Sequence, residues 1–120
     1  MTKIAVIDYG MGNLHSVSKA LEEVSTTEEI MVTSDPETIK RADKIVLPGV
    51  GAIKDCLEAF SDDLRSVTLE LIRNKPTLAI CVGMQMLLES SEENGGVKCL
   101  NVHDGRIVKI PASKLSLIHI

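Results

Sequence analysis

Four short apolar runs, Lys3–Asp8, Ile30–Thr33, Lys44–Leu47 and Thr77–Ile80, are each followed by a segment whose apolar residues return at helical spacing. The runs are too short for buried helices and rich in β-branched residues, so they read as strands. After the first, Leu14, Val17, Leu21 and Val24 share one helical face, with Asn13 placed to cap its start. Ser34-Asp35-Pro36 opens a second helix with Pro just inside it. Ile53, Cys56, Leu57 and Phe60 form a third apolar stripe, and Leu64, Val67, Leu71 and Ile72 a fourth, after Ser61-Asp62-Asp63. The segment Val82–Ser90 resumes as a helix, Glu92–Gly96 is a polar loop, and Arg106–Ile110 alternates weakly as a further strand. Strands alternating with helices imply an α/β fold, a parallel sheet flanked by helices on both faces. Its crossovers should be right-handed.

With 120 residues, the chain amounts to one domain or less. One Tyr, one Phe and no Trp oblige the core to be aliphatic. A net charge of -4 argues against a nucleic-acid partner, which would call for clustered Lys and Arg. No apolar run is long enough to span a membrane, and the short stretch ending at Asp8 does not read as a secretory signal. Cys56, Cys81 and Cys99 are odd in number and share no metal-ligand spacing, so neither a metal nor another cofactor is expected. A reducing, cytoplasmic location fits this cysteine usage.

In parallel sheets, chemistry gathers beyond the carboxyl ends of the strands. Three segments occupy such ends: Asp8-Tyr9-Gly10, Pro48-Gly49-Val50-Gly51 and Ile80-Cys81-Val82-Gly83. Cys81 stands at a strand-to-helix junction with Ala79 two residues before and Gly83 two residues after. Small neighbours permit a tight turn that forces the side chain outward, as in the nucleophile elbow of hydrolases. The helix starting at Val82 turns its positive end toward the sulfur, which favours a thiolate. Freed N–H groups at the same turn could hold an oxyanion, so acyl transfer through a thioester is the chemistry indicated. On position alone, a buried cysteine closing a strand is an equal reading. Cys56 belongs to an apolar stripe and reads as core, and Cys99 reads as structural.

The segments then become specific in combination. Asp8-Tyr9-Gly10-Met11-Gly12-Asn13-Leu14, Leu47-Pro48-Gly49-Val50-Gly51-Ala52, Ile80-Cys81-Val82-Gly83-Met84-Gln85 and Ser91-Glu92-Glu93-Asn94-Gly95-Gly96-Val97 occur in that order. Over about residues 1–111 the chain resembles the class I glutamine amidotransferases, and among them the glutaminase subunits of imidazole glycerol phosphate synthases. The resemblance implies a flavodoxin-like sheet and a set of roles. Cys81 would attack the side-chain amide of glutamine, and the backbone N–H groups of Val82 and Val50 would form the oxyanion hole. Gly49 and Gly51 would let their loop approach closely, and Gln85 would help hold glutamine. Gly12 and Asn13 would face a cyclase subunit, a (β/α)8 barrel that receives the ammonia in a heterodimer serving histidine biosynthesis. Ala79, where many relatives carry Gly, is a mild departure.

Competing readings are weaker. Gly10-Met11-Gly12-Asn13-Leu14-His15 resembles the start of a dinucleotide fingerprint, but His15 replaces the third Gly and no acid ends the second strand. A receiver-type module needs an acid pair after its first strand, where Asp8 stands alone, and a phosphoacceptor Asp where Pro48-Gly49 stands. Other glutaminase subunits, serving pyridoxal phosphate, anthranilate or GMP synthesis, share the Cys81 segment.

Cysteine acyl transfer needs an oriented base. His15, His103 and His119 are the only histidines, and none begins the His-x-Glu pair that the family places later. The triad is therefore expected to be incomplete, and this chain inactive and poorly soluble by itself. The final Leu115–Ile120 is the peptide encoded by CTGTCTCTTATACACATC, a string resembling a transposase adapter of sequencing libraries. Residues 115–120 are accordingly read as adapter-derived, and 1–114 as the N-terminal part of an amidotransferase domain, truncated before its later strands.

Overall fold

The computed structural model describes residues 1–111; positions 112–120, which include the expected tail at 115–120 and His119, lie outside the described residues. Strand β1 (Lys3–Ile7) is followed by α1 (Leu14–Val24), β2 (Glu29–Thr33), α2 (Pro36–Lys40) and β3 (Lys44–Leu47). Helices α3 (Ile53–Ala59) and α4 (Asp62–Asn74) then lead to β4 (Thr77–Ala79) and the one-turn α5 (Val82–Gln85). The four strands form a wholly parallel sheet in the order β2-β1-β3-β4, with Val6 beside Val46 and Leu47 beside Ala79. Strand order reverses between β1 and β3, so the switch point lies where their carboxyl ends part.

Alternation along the strands divides the apolar side chains between two faces. Ala5, Ile7, Ile45 and Leu47 meet Ile39, Cys56, Leu57, Phe60, Leu64, Val67 and Leu71 from α2, α3 and α4. Ile4, Val6 and Val46 face the other way, against Leu14, Val17 and Leu21 of α1. Full burial of each such aliphatic side chain is worth about 1.5–3 kcal/mol. Val24, expected on the same stripe, is 78% exposed, because it closes the last turn of α1 beyond the sheet.

Capping fixes where the helices start. The Asn13 side chain accepts from Ser16 N, Asp35 from Thr38 N and Ser61 from Leu64 N. Residue 52 is Ala and offers no capping side chain to α3. The Glu93 carboxylate accepts the Ile53 N–H instead, at 3.0 Å from 40 residues away.

The helix expected over Val82–Ser90 stops at Gln85. Beyond it Leu87 and Leu88 donate to carbonyls three residues back, and the following loop captures the next acceptors. Leu100 N–H donates to Met86 O at 2.8 Å, and Val102 and His103 N–H groups both donate to Leu87 O. Ser90–Ser91 becomes β5, the centre of a small second sheet with β6 (Val97–Lys98, antiparallel) and β7 (Arg106–Ile107, parallel). Asn94, Gly95 and Gly96 turn the chain between β5 and β6 with positive φ.

Candidate active site

Three loops converge beyond β1, β3 and β4, and the point of convergence is Gly49. A Cβ built on Gly49 would lie 2.5 Å from Gly83 N, 2.9 Å from the Tyr9 hydroxyl and 3.0 Å from the Val82 carbonyl carbon. A Cβ on Gly83 would in turn run into the Leu47 carbonyl. Only glycine at both positions lets the loop after β3 lie backbone to backbone on the turn after β4. The segments Tyr9-Gly10, Pro48–Gly51 and Cys81–Gly83 are thus one assembly.

Cys81 adopts φ 54 and ψ -119, close to the first central position of a type II′ turn, where glycine is usual. The Gly83 N–H closes that turn on the Ile80 carbonyl at 2.9 Å, and Ile80 N–H donates to Leu47 O at 2.9 Å. A non-glycine residue in this region costs on the order of 1–3 kcal/mol and persists where surrounding structure over-determines it. Val82 and Gly83 are buried on the far side of the turn, while Cys81 is exposed. Of the equal readings for Cys81, burial at a strand end is excluded.

The loop after β3 holds Pro48 and Gly49 buried, then emerges. Val50 is 46% exposed and Gly51 takes φ +80. Two carbonyls of the loop are held from beneath. The Tyr9 hydroxyl donates to Pro48 O at 2.6 Å, and the Cys56 thiol donates to Val50 O at 3.2 Å. The Tyr9 ring stacks on Phe60 with centroids 4.5 Å apart. Burial, and then the Cys56 thiol beside it, hold the Tyr9 phenol far above its ordinary value, so the hydroxyl stays a donor.

Gln85, one turn after Cys81, lines a cavity of about 370 Å³ with Ser91, Glu92, Glu93, Ile107, Val108 and Lys109. Cys81 is not among its walls. Gly12 (φ +115) packs against Pro48, 3.1 Å separating its would-be Cβ from the proline ring, and Asn13 is exposed beyond its capping bond. His15 lies on the exposed side of α1 and His103 in the exposed loop beside Leu87. Cys99 is half-buried, and burial pushes its thiol up. Among the described residues, no group of three or more His, Cys, Asp or Glu could hold a metal ion, and no helix is long and apolar enough to cross a membrane.

Sequence reasoning picked out the turn, the loop and the segment that holds Tyr9, and read Cys56 as core, as it is; it did not foresee the hydrogen bonds that Tyr9, Cys56 and Glu93 make. A signal existed for the first: a buried tyrosine needs a partner for its hydroxyl, and this one follows a strand directly. For Glu93 the only signal is the uncapped Ala52, which demands an acceptor without saying from where.

Comparison with known proteins gives the family. Residues 5–115 match the family described as Glutamine amidotransferase class-I. Similar proteins include the imidazole glycerol phosphate synthase subunit HisH of Acinetobacter baylyi, 55% identical over 112 residues, or 92% of this chain and 54% of that protein. The same subunit of Methylococcus capsulatus is 49% identical over 92% of this chain and 52% of its own length. That of Nitrosococcus oceani is 50% identical over 98% of this chain and 56% of its own. The chain spans about half the length of the curated relatives it matches.

Proposed function

From the premise that this chain belongs to the class I glutamine amidotransferase family, we propose that it contributes the nucleophile half of a glutaminase, the ammonia-producing subunit of an imidazole glycerol phosphate synthase. The observation that supports this most is the strained, outward-facing Cys81 seated against the glycine loop after β3.

In this reading the Cys81 sulfur attacks the side-chain amide carbon of glutamine. The carbonyl π electrons move onto oxygen, and the resulting oxyanion is held by the backbone N–H groups of Val82 and Val50. Gly83 already gives its own N–H to Ile80, so Val82 supplies the donor at this turn. Collapse of the tetrahedral intermediate breaks the C–N bond, and ammonia leaves with a proton delivered by the base. The thioester left on Cys81 is then hydrolysed by water to glutamate. Gly49 and Gly51 admit the loop to the reacting centre, and Gln85, one turn after Cys81, helps hold the substrate. The base is drawn from a His-x-Glu pair that residues 1–120 do not contain. Gly12 and Asn13 lie toward a cyclase partner that takes up the ammonia, in a cytoplasmic heterodimer.

A glutamine-like chloroketone tests the assignment on the protein expressed from the source gene. Selective modification of Cys81 is the expected result. Equal labelling of Cys56, Cys81 and Cys99 would point instead to a flavodoxin-like module without catalysis. Complementation of a histidine auxotroph by the gene distinguishes this subunit from the glutaminases of other pathways.

A further inference from the structure

We propose that Tyr9 and Cys56 are positioning residues that clamp the loop after β3 and thereby aim the Val50 N–H; the inference rests on the glutaminase reading. Beyond Gly49 the loop Pro48–Gly51 has little else to hold it. Gly49 and Gly51 bring no side chain, and the Val50 side chain is 46% exposed. Pro48 and Gly49 are anchored by packing, Gly49 backbone to backbone on Gly83, but Val50 and Gly51 are not. Such a loop is free to rotate its peptide planes unless its polar groups are tied down.

Two of its carbonyls are tied down from the core side. Tyr9 Oη donates to Pro48 O at 2.6 Å and Cys56 Sγ to Val50 O at 3.2 Å. Both donors are buried, Tyr9 at 5% and Cys56 at 0% exposure, where replacing either bond with water is costly. The two donors also belong together. The Cys56 thiol lies beside the Tyr9 hydroxyl, and that hydroxyl lies directly beneath Gly49. Each donor has a fixed mount. Tyr9 is stacked on Phe60, and Cys56 sits in the first turn of α3, whose start is held by Glu93.

Peptide geometry carries this hold to the site. Fixing the Pro48 carbonyl orients the Pro48–Gly49 peptide plane, and fixing the Val50 carbonyl orients the Val50–Gly51 plane. The plane between them, Gly49–Val50, carries the Val50 N–H. With both neighbours clamped, that plane can turn only about the axis joining the Gly49 and Val50 Cα atoms, by opposed rotations at Gly49 ψ and Val50 φ. The core pair therefore confines the Val50 N–H to that one rotation without touching substrate.

The test compares two reagents at Cys81 in the protein expressed from the source gene. With a glutamine-like chloroketone the sulfur adds to the carbonyl and creates an alkoxide, which uses the oxyanion donors. Sulfur then displaces chloride from the adjacent carbon and the carbonyl re-forms, leaving a thioether and free chloride. Iodoacetamide reacts by direct displacement of iodide and does not use them. Cys56→Ala and Tyr9→Phe should each slow the chloroketone about 100-fold, the scale of a misplaced oxyanion donor, with the iodoacetamide rate unchanged. Cys56→Ser, whose hydroxyl can still donate to Val50 O, should recover most of the loss. Unchanged chloroketone rates in both variants, or equal slowing with both reagents, overturn the clamp. Should Cys56→Ala fail to fold, Tyr9→Phe, which keeps the stacked ring, decides the matter. A wild-type protein in which the chloroketone shows no preference for Cys81 refutes the glutaminase reading itself, a separate outcome.

Discussion

An alanine at Gly83 would direct its Cβ into the Leu47 carbonyl, and one at Gly49 would come within 2.5 Å of Gly83 N. Backbone cannot yield as a flexible side chain would, so either change separates the loop from the turn. Gly83→Ala is expected to lower stability by about 1–3 kcal/mol, the range for overpacking a well-filled interior, as read from urea unfolding. At Tyr9 the consequence is a pH effect. Its phenol ionises at about 10.0 when unfolded and well above that when folded. The folded state therefore keeps the proton that the unfolded state releases, and the stability this gives is fully present below pH 10. It declines as pH rises past 10 toward the folded value. Tyr9→Phe should remove that decline from a series of denaturant melts at rising pH. Small residues around Cys81 made its turn legible from sequence alone. The thiol under the loop was not legible, because Cys56 is apolar enough to pass as core, and the position of Tyr9 after a strand signalled a need for a hydroxyl partner without saying which.

Among the elements, α3 depends on a residue remote in sequence. Its first turn supplies Cys56, its N-cap Ala52 offers no acceptor, and Glu93 accepts the Ile53 N–H across 40 positions. Glu93→Ala should cost about 1 kcal/mol, typical of a lost cap, and Ser61→Ala at the N-cap of α4 a similar amount. The two substitutions differ in their effect on the site. Only the Glu93 change loosens the mount of Cys56, so only it should also slow chloroketone modification of Cys81. The strands β1 to β4 and helices α1, α3 and α4 were readable from a clear apolar period, and α1, α2 and α4 from a local start signal, which α3 lacks. Helix α5 was overextended for a physical reason. Met86–Leu88 keep helical spacing in sequence, but their carbonyls are taken by Leu100–His103, a competition between distant segments that periodicity cannot reveal.

Across the whole molecule the two faces of the main sheet are unequally covered. Three helices pack on the face of Ile7 and Leu47, whereas α1 is the helix packed on that of Ile4, Val6 and Val46 among the described residues. Toward β4 that second face is open. Leu78 is 53% exposed and lines an apolar cavity of about 260 Å³ with Ile4, Leu21, Val46 and Pro76. Among the described residues β4 also has a single strand neighbour, β3. An apolar patch beside an unpaired strand edge is the combination that templates association between chains, and a lysine there is the usual remedy. Leu78→Lys in the 120-residue chain is therefore expected to raise the protein concentration at which light scattering sets in, with far-UV circular dichroism unchanged. Leu78 lies on the opposite side of β4 from the buried Leu47 face and takes no part in the Cys81 turn, so the substitution should leave Cys81 labelling as it was. If scattering begins at the same concentration, association arises elsewhere on the molecule and the open face is not its cause.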